Sequence, residues 1–342
     1  MPELREFEPA SATLREWAGY HAFRRLRHSE EYPEDPFTPD DVIERRLHRP
    51  DPYTAERLAL VREGDRVVGE AWAGPVTPAS PAYQSNRHLL PAAGWVLSEA
   101  RRRGLGRLLV ADLVALMERH GATVLTVDTS QESGHGFLRR LGAEPRYVAA
   151  HSRLDLRMVD WDQVDRWVRE GQERSPDTRL EVYVDRLPEE RHEEFARAMT
   201  ELLNTMPFEE LDHGEEVETA EMLRDWYARE GTDSVHHVYM SRESDGSISG
   251  MTDVVKHLYE PGFVRQEFTG VHPSARGRGL GKWLKAAMLQ QVRAAHPDTV
   301  YVTTENAGSN ASMLAINHAL GFERYRTVTT YQVAKDVLVG RC

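Results

Sequence analysis

The chain has 342 residues, which exceeds the usual size of one hydrophobic core and predicts about two domains. Hydrophobic residues make up 40% and charged residues 29%, and no stretch approaches the ~20 apolar residues that span a bilayer, so a globular protein without membrane contact is expected. The net charge of −12 argues against nucleic-acid binding, which needs clustered Lys and Arg. Cys342 is the single cysteine, so an internal disulfide or cysteine zinc site is excluded and a cytoplasmic location is favoured.

Hydrophobic periodicity and turn residues in the first half predict alternating strands and helices. The ranges are a strand at 3–9, helices at 13–26 and after Thr38-Pro39, hairpin strands at 58–62 and 66–73, a strand ending near Val96, a strand at 123–127 and a helix at 135–141. A helix is also expected directly after residue 104, and a final strand closes this half.

The second half predicts the same order of elements. The ranges are a strand at 180–184, helices at 189–203 and 220–230, hairpin strands at 237–241 and 248–256, strands at 266–271 and 300–304, a helix at 309–320 and a closing strand at 327–333. Residues 159–178, with a short helix, predict a linker. The expected domains are therefore residues 1–158 and 179–342, both of the α/β (α+β) class with a mixed, mostly antiparallel sheet flanked by helices.

A short glycine-rich motif occurs once in each half. Arg-Arg-Arg-Gly-Leu-Gly-Arg at 101–107 returns 175 residues later as Arg-Gly-Arg-Gly-Leu-Gly-Lys at 276–282. Val96 and Val271 each lie five residues before the motif, and apolar residues at helical spacing follow it. These matches in the same order predict a tandem duplication.

A strand, a glycine-rich turn with basic residues and then a helix can bind a phosphate. The glycines let successive N–H groups point into one concavity, and the helix N-terminus adds positive charge. A tight turn with a basic surface is the alternative for either copy. The motif is not a P-loop, because Arg276 and Trp283 stand where Gly and Ser or Thr are needed. The histidines contain no His-Glu-x-x-His, so no metal site is expected.

Arg-x-x-Gly-x-Gly after a strand that ends in Val resembles the coenzyme A loop of the GNAT superfamily of N-acetyltransferases. The second half also contains Asn310-Ala-Ser-Met-Leu-Ala-Ile-Asn-His-Ala-Leu-Gly-Phe322, which resembles the second cofactor segment of that superfamily. The resemblance extends over both halves in the order of their strands and helices. Only in the second half does it also include the sequence motifs. It implies two tandem GNAT folds and an acyltransferase that uses acetyl-CoA as co-substrate without a metal.

The resemblance also implies which residues bind acetyl-CoA. In the second half these are Val271, His272, Arg276, Gly277, Arg278, Gly279, Leu280, Gly281, Lys282 and Asn310. In the first half they are Val96, Leu97, Arg101, Arg102, Arg103, Gly104, Leu105, Gly106 and Arg107. The loop N–H groups would hold the pyrophosphate, and the strand end near Val271 would pair with the pantetheine arm and polarise the thioester carbonyl. A helix N-cap is an equally good explanation of Asn310.

The attacking amine needs a base, for which Glu267 is the candidate. Alternation along the strand places it on the face of Thr269 and Val271. A solvated strand carboxylate is the alternative, and the family often has its base at the positions of Gln266 or Arg265.

Asn317 stands where many members have a tyrosine that protonates the leaving thiolate. An amide can only orient a water or contact the sulfur. The first half departs further, with Leu138 at that position, Gln131 in place of the Asn and no carboxylate on the strand before Val96. We therefore expect the chemistry in the second half, and cofactor affinity or a structural role in the first.

The acceptor is expected to be a small, cationic primary amine, including secondary-metabolite or antibiotic amines. Acidic segments at 29–35 and 208–216 occupy positions that line the acceptor site in this family, and they would attract a cation. Three alternatives stay open, namely an acyl-CoA-binding regulatory or scaffold protein without turnover, a mycothiol-synthase-like acetyltransferase and a protein-lysine acetyltransferase. The sequence leaves monomer and homodimer undecided.

Overall fold

The structure is a computed structural model that describes residues 2–341. In chain order its strands are β1 (Glu3–Glu6), β2 (Arg57–Glu63), β3 (Arg66–Ala73), β4 (Leu89–Val96), β5 (Val124–Thr129), β6 (Glu144–Asp155), β7 (Arg179–Tyr183), β8 (Ser234–Arg242), β9 (Ile248–His257), β10 (Phe263–Val271), β11 (Tyr301–Ala307) and β12 (Glu323–Ala334). Its helices are α1 (Leu14–Glu31), α2 (Asp40–Leu47), α3 (Tyr83–Asn86), α4 (Leu105–His120), α5 (Glu132–Arg140), α6 (Trp161–Arg174), α7 (His192–Leu203), α8 (Ala220–Glu230), α9 (Leu280–Ala295), α10 (Ala311–Leu320) and α11 (Lys335–Val339). The predicted order of strands and helices is confirmed in both halves.

Local sequence explains where several helices begin. Thr13 caps α1 in a capping box, in which its hydroxyl accepts from the Glu16 N–H and the Glu16 carboxylate accepts from the Thr13 N–H. Asp160 and Thr219 are simple N-caps of α6 and α8, and the side chain of each accepts from the N–H of the third residue that follows. These polar caps satisfy backbone N–H groups in the first turn of each helix, which have no partner within the helix.

The chain forms two compact units. Among the described residues the first comprises 2–147, 210–215 and 328–341, and the second comprises Val148–Glu209 and Glu216–Thr327. In the first unit the sheet order is β1-β2-β3-β4-β5-β12, and in the second it is β6-β11-β10-β9-β8-β7. All neighbouring strands in these two series pair antiparallel except β4 with β5 and β10 with β11.

The closing strand of each unit comes from the opposite half of the sequence, which corrects the expectation that each half closes itself. Thr329–Ala334 of β12 pairs with Val124–Thr129 of β5, and Ala149–Asp155 of β6 pairs with Tyr301–Ala307 of β11. Tyr331 and Val333 accordingly lie in the core of the first unit, and Leu154 lies in the core of the second. The alternating pattern of such a strand fits either sheet, so sequence alone does not specify its partner.

Residues 159–178, expected to form a linker with a short helix, contain the 14-residue helix α6, which packs into the core of the second unit. Val164 and Trp167 are buried in the same core as Trp283 of α9. A Cβ on Gly171 of α6 would lie 2.3 Å from Cγ of Trp283, so only glycine allows this close approach of the two helices. The apolar face of α6 therefore belongs to a domain core and not to a solvated connection.

Candidate active site

The loop predicted to bind phosphate in the second unit joins β10, which ends at Val271, to α9, which begins at Leu280. Gly277 and Gly279 have φ angles of 81° and 87°, in the left-handed region that favours glycine. No side chain caps α9, in contrast to α10, where the Asn310 side chain accepts from the Met313 N–H at 3.2 Å. The first N–H groups of α9 therefore keep their hydrogen-bonding capacity for an anion.

The corresponding loop of the first unit joins β4 to α4 and is strained at one residue. Gly104 has a φ of 84° and α4 also lacks a side-chain cap. Arg102, however, has a φ of 65° at the position that Gly277 occupies in the second unit. A left-handed backbone costs a residue with a Cβ about 1–2 kcal/mol.

An arginine in each loop fixes the end of the preceding strand. Arg276 Nε donates to the carbonyl oxygen of Val271 at 3.1 Å, and Arg101 Nε donates to that of Val96 at 2.9 Å. The two loops therefore share a tertiary contact as well as a sequence motif. Arg276 Nη2 also donates to Thr205 Oγ1 at 3.3 Å.

Carboxylates neutralise a second arginine in each loop. Arg278 Nη1 lies 3.0 Å from Glu243 Oε1, and Arg103 is ion-paired with Glu63. Lys282 stands over the ring of Trp167 at 5.0 Å from its centroid. The guanidiniums of Arg278 and Arg103 thus hold the loops in place, and the backbone N–H groups are the better candidates for phosphate contacts.

Other predicted cofactor residues have roles in packing or local structure. Leu97, Leu105 and Leu280 are buried, so only their backbone atoms are available to a ligand. A Cβ on Gly106 would lie 3.0 Å from Phe137, and one on Gly281 would lie 3.3 Å from Ile316, so both glycines let neighbouring helices approach. Arg107 is exposed. His272 Nδ1 lies 2.7 Å from Ser274 Oγ within the loop turn.

The parallel strands β10 and β11 pair only over their first residues and then separate. Pairing runs from Phe263 with Tyr301 to Gln266 with Thr304, and β10 continues to Val271 without this partner. The His272 N–H donates to Ser249 O on the β9 side at 2.8 Å. Because N–H directions alternate along a strand, the Val271 N–H points to the opposite edge, into the gap. β4 and β5 likewise pair only from Leu89–Val124 to Ala92–Val127.

A β-bulge interrupts β10 at Glu267. The register against β9 shifts between Gln266, which lies opposite Val254, and Phe268, which lies opposite Asp253. The prediction that Glu267 shares a face with Thr269 is therefore wrong, because the extra residue breaks the alternation. Gln266 shares that face instead, since its Nε2 donates to Thr269 Oγ1 at 3.1 Å.

Glu267 lies on β10 of the second unit. The residue is exposed to solvent, although neighbouring protein atoms desolvate its carboxyl group. Desolvation raises the pKa of Glu267, and the negative charge of Asp253 raises it further. A carboxylate with a raised pKa is a better proton acceptor than an ordinary surface glutamate.

The two asparagines singled out by the sequence have different environments. Asn310 is the N-cap of α10, as its structural interpretation predicted. Asn317 is 2% exposed, and its Nδ2 donates to Asn306 Oδ1 at 2.6 Å. Asn317 Oδ1 is buried and has no hydrogen-bond partner within residues 2–341. An amide in this position cannot donate a proton to a leaving group as an acid.

Two glutamates beside the first loop were not assigned to it by sequence. Glu30 accepts from the N–H and hydroxyl of Ser98, and Arg101 Nη2 lies 3.6 Å from Glu30 and 3.9 Å from Glu31. Desolvation raises the pKa of Glu31 to about 7. In the second unit the corresponding residue, Arg276, donates instead to the neutral hydroxyl group of Thr205. The acidic run at 29–35 is visible in the sequence, but α1 continues to Glu31, past its predicted end at 26, and this length decides the contact.

The second acidic segment, 208–216, is divided between the compact units. Glu209 accepts from the N–H groups of Val148 and Ser309 at 3.2 Å in the second unit. Asp212 belongs to the first unit, where its Oδ1 lies 3.0 Å from His88 Nε2. These carboxylates have protein partners, so charge alone does not assign them to an acceptor site.

A sequence profile of the acetyltransferase (GNAT) family matches residues 20–143 and 196–322. This chain belongs to the GNAT family. Each match includes one glycine-rich loop. Members of the family are acyltransferases that use acetyl-CoA as co-substrate, and the uncapped helix N-termini and the gaps beside β10 and β4 suit such a molecule. No curated protein matches the chain.

Solved structures share the fold of this chain. A tandem GNAT protein from the clavulanic acid biosynthesis pathway aligns with a TM-score of 0.73 at 23% identity, over 98% of this chain and 99% of that one. A GCN5-related N-acetyltransferase from Sphaerobacter thermophilus aligns with a TM-score of 0.63 at 14% identity, over 98% and 96% of the two chains. The glucosamine N-acetyltransferase region of a fungal multi-domain β-N-acetylglucosaminidase aligns with a TM-score of 0.66 at 12% identity, over 97% of this chain and 38% of that one.

Residues 2–341 contain neither a membrane-spanning helix nor a cluster of metal-ligating side chains. No helix in this range is long and apolar enough to cross a bilayer. No group of three or more metal-ligating side chains of His, Cys, Asp or Glu occurs there in a geometry for a metal ion.

Proposed function

We propose that the second unit transfers an acetyl group from acetyl-CoA directly to the primary amine of a small, cationic metabolite. The observation that carries this proposal is the combination of an uncapped helix N-terminus, an unpaired strand edge and a carboxylate of raised pKa in one unit. Acetyl-CoA supplies an activated acyl group. Protein groups bind it, polarise its carbonyl and accept the proton of the amine. No metal takes part in the proposed reaction.

The backbone N–H groups from Arg278 to Lys282 bind the pyrophosphate, assisted by the dipole of α9. The Val271 N–H, which points into the gap, polarises the reacting carbonyl and stabilises the oxyanion. Glu267 takes the proton from the attacking amine, directly or through a water. Asn317 does not replace the missing acid, so water protonates the thiolate.

The first unit binds acetyl-CoA weakly or has a structural role. Its loop has the required fold, but Glu30 and Glu31 beside Arg101 oppose a pyrophosphate by like charge. No carboxylate lies on β4, whose sequence from Leu89 is Leu-Leu-Pro-Ala-Ala-Gly-Trp-Val. The proposed assignment of chemistry to the second domain rests on these two differences.

Calorimetric titration of acetyl-CoA tests the cofactor sites. Glutamate in a loop should block phosphate by bulk and like charge, so Gly279→Glu should abolish the tighter site and Gly104→Glu should affect only a weaker one. Gly246→Glu is the matched control, because Gly246 also has a left-handed φ, of 89°, but lies in a hairpin turn. Equal binding by Gly279→Glu and wild type would contradict the assignment of the pyrophosphate site.

An amine screen tests the reaction. Release of free thiol that depends on a cationic primary amine is expected, and Glu267→Gln should lower kcat/KM by about 100-fold while leaving acetyl-CoA affinity unchanged. Glu323→Gln, an exposed carboxylate in the same unit, serves as the control. Full activity of Glu267→Gln would remove Glu267 from the mechanism.

A second candidate function is acyl-CoA binding without turnover, which the buried, hydrogen-bonded Asn317 in place of an acid favours. Tight binding of acetyl-CoA with no amine-dependent release of thiol, across the whole screen, would select this alternative.

A further inference from the structure

Three buried polar side chains form a chain of hydrogen bonds across α8, β8 and β9 of the second unit. Tyr227, His236 and Asp253 are each less than 9% exposed. The Tyr227 hydroxyl lies 2.7 Å from His236 Nδ1, and His236 Nε2 lies 2.9 Å from Asp253 Oδ2. None of these residues belongs to a sequence motif described above, and only folding brings the three side chains together.

The direction of donation in this chain is determined at one end. The N–H of Leu187 donates to the Tyr227 hydroxyl at 3.1 Å, so the single hydroxyl proton is donated onward to His236 Nδ1. Neutral His236 then carries its proton on Nε2 and donates it to Asp253. The other carboxylate oxygen, Asp253 Oδ1, is buried and has no partner among the described residues. A buried acceptor left unsatisfied costs about 1–3 kcal/mol, so stability alone does not explain the arrangement.

Asp253 lies beside the bulge that carries Glu267. Across the β9–β10 ladder it is opposite Phe268, the residue after Glu267. Desolvation by neighbouring protein atoms and the nearby Asp253 charge both raise the pKa of Glu267. The hydrogen-bond chain thus ends in a fixed carboxylate next to the residue proposed as the proton acceptor.

We propose that Tyr227, His236 and Asp253 form a positioning relay that holds a carboxylate beside Glu267, tuning Glu267 as the base and favouring an acceptor that arrives as an ammonium ion. The proposal rests on the function proposed above for the second unit. The negative charge of the buried Asp253 attracts an ammonium ion to Glu267, and Glu267 then removes one proton before the amine attacks. None of the three relay residues is proposed to touch acetyl-CoA.

Other titratable and charged groups also affect the pKa of Glu267, either directly or through an ion-pair partner. They lie on β9, β10 and the adjoining elements. They are Arg265, its ion-pair partner Glu260 at 2.7 Å, His257, its partner Glu230 at 3.5 Å, and His236. The charge of Asp253 raises the pKa of Glu267. The charge of Arg265 lowers it, as do His257 and His236 when their rings are protonated. Removing the Asp253 charge should therefore move the Glu267 titration to lower pH.

The test measures that titration directly in the full chain. Glutamate labelled with ¹³C at the side-chain carboxyl gives a signal for Glu267, assigned by its loss in Glu267→Gln. In Asp253→Asn the amide oxygen can still accept from His236 Nε2, but the charge is gone, and the Glu267 midpoint should fall. Tyr227→Phe should shift the midpoint as well, because His236 loses the contact that fixes its tautomer and Asp253 is then held less firmly. Asp298→Asn, whose carboxylate pairs with Lys256 at 3.1 Å, is the control and should leave the midpoint unchanged.

Kinetics supply the second readout. In Asp253→Asn the acidic limb of the kcat/KM profile should move to lower pH with the same sign as the NMR midpoint. KM for a cationic amine should rise about tenfold, because one attracting negative charge is lost. An unchanged Glu267 midpoint in Asp253→Asn would overturn the relay, as would loss of the fold in both variants. If no amine is turned over, or if Glu267→Gln is fully active, the proposed function fails instead. The NMR midpoint does not depend on turnover, so failure of the relay and failure of the proposed function can be distinguished.

Discussion

Lys285 provides a prediction whose magnitude follows from the structure. It lies on α9 of the second unit, is 1% exposed, and its ammonium is 5.1 Å from the ring centroid of Phe322. Desolvation alone lowers its pKa from the ordinary 10.5 to about 7. No carboxylate therefore compensates the charge, and replacement by the apolar Met, which has a similar length, should stabilise the fold.

The sign and size of the effect follow from linkage. Below pH 7 the lysine is charged in both states, and burying that charge costs about 5 kcal/mol, since each pKa unit is worth 1.36 kcal/mol. Between pH 7 and 10.5 the unfolded chain binds the additional proton, so wild-type stability rises with pH, and above 10.5 the penalty vanishes. The free energy of unfolding of Lys285→Met should exceed that of wild type by about 4–5 kcal/mol at pH 6 and about 2 kcal/mol at pH 9.

Urea unfolding of the full chain at these two pH values, followed by tryptophan fluorescence, checks the prediction. Lys282→Met is the matched control, because Lys282 lies on the same helix but is exposed, and its gain should be small and independent of pH. Lys285→Met with no gain in stability, or with the pH slope of wild type, would refute the assignment of an uncompensated buried charge. A gain in the free energy of unfolding that occurs only in Lys282→Met would instead assign the effect to the exposed surface of α9.

Three further predictions concern the first loop and the histidines. Arg102→Gly relieves a left-handed φ and should raise the free energy of unfolding of the first unit by about 1 kcal/mol; an unchanged urea midpoint would contradict this. In a Gly279→Glu background, acetyl-CoA affinity of the first loop should fall as pH rises through about 7 and Glu31 becomes charged, and Glu31→Gln should abolish this trend in calorimetry. Burial and His296, whose Nε2 lies 2.8 Å away, lower the pKa of His237 to about 4, so its ring carbon signal should not titrate between pH 8 and 5.5; a midpoint near 6.5 would disprove the pairing.

Much of the candidate site is accessible to sequence analysis because it depends on local backbone geometry. A glycine pair that follows a strand and precedes a helix has few alternative conformations, and both loops have the predicted form. Asn310 caps its helix as its position suggests. The repeat of the loop also identified the tandem fold. Glu267 was selected for its residue type and position on β10, although its predicted face was wrong.

The bulge at Glu267 and the contacts of Glu30 with Ser98 were not predicted, because both depend on lengths that a pattern does not fix. One extra residue in β10 changes which side chains share a face. Five further residues of α1 bring the acidic run to the loop. The hydrogen bonds of His236 join elements that are distant in sequence, and no spacing rule connects them.

The sequence by itself determined the duplicated order of strands and helices, the two glycine-rich loops and the family. These features arise from short-range constraints, namely periodicity, capping and the φ angles that only some residues adopt. Only the tertiary structure decided which sheet each closing strand joins, which face Glu267 occupies and which charges surround it. A strand such as β12 presents the same alternating face to any sheet edge, so its partner is chosen by the core that it completes, here with Tyr331 and Val333 in the first unit.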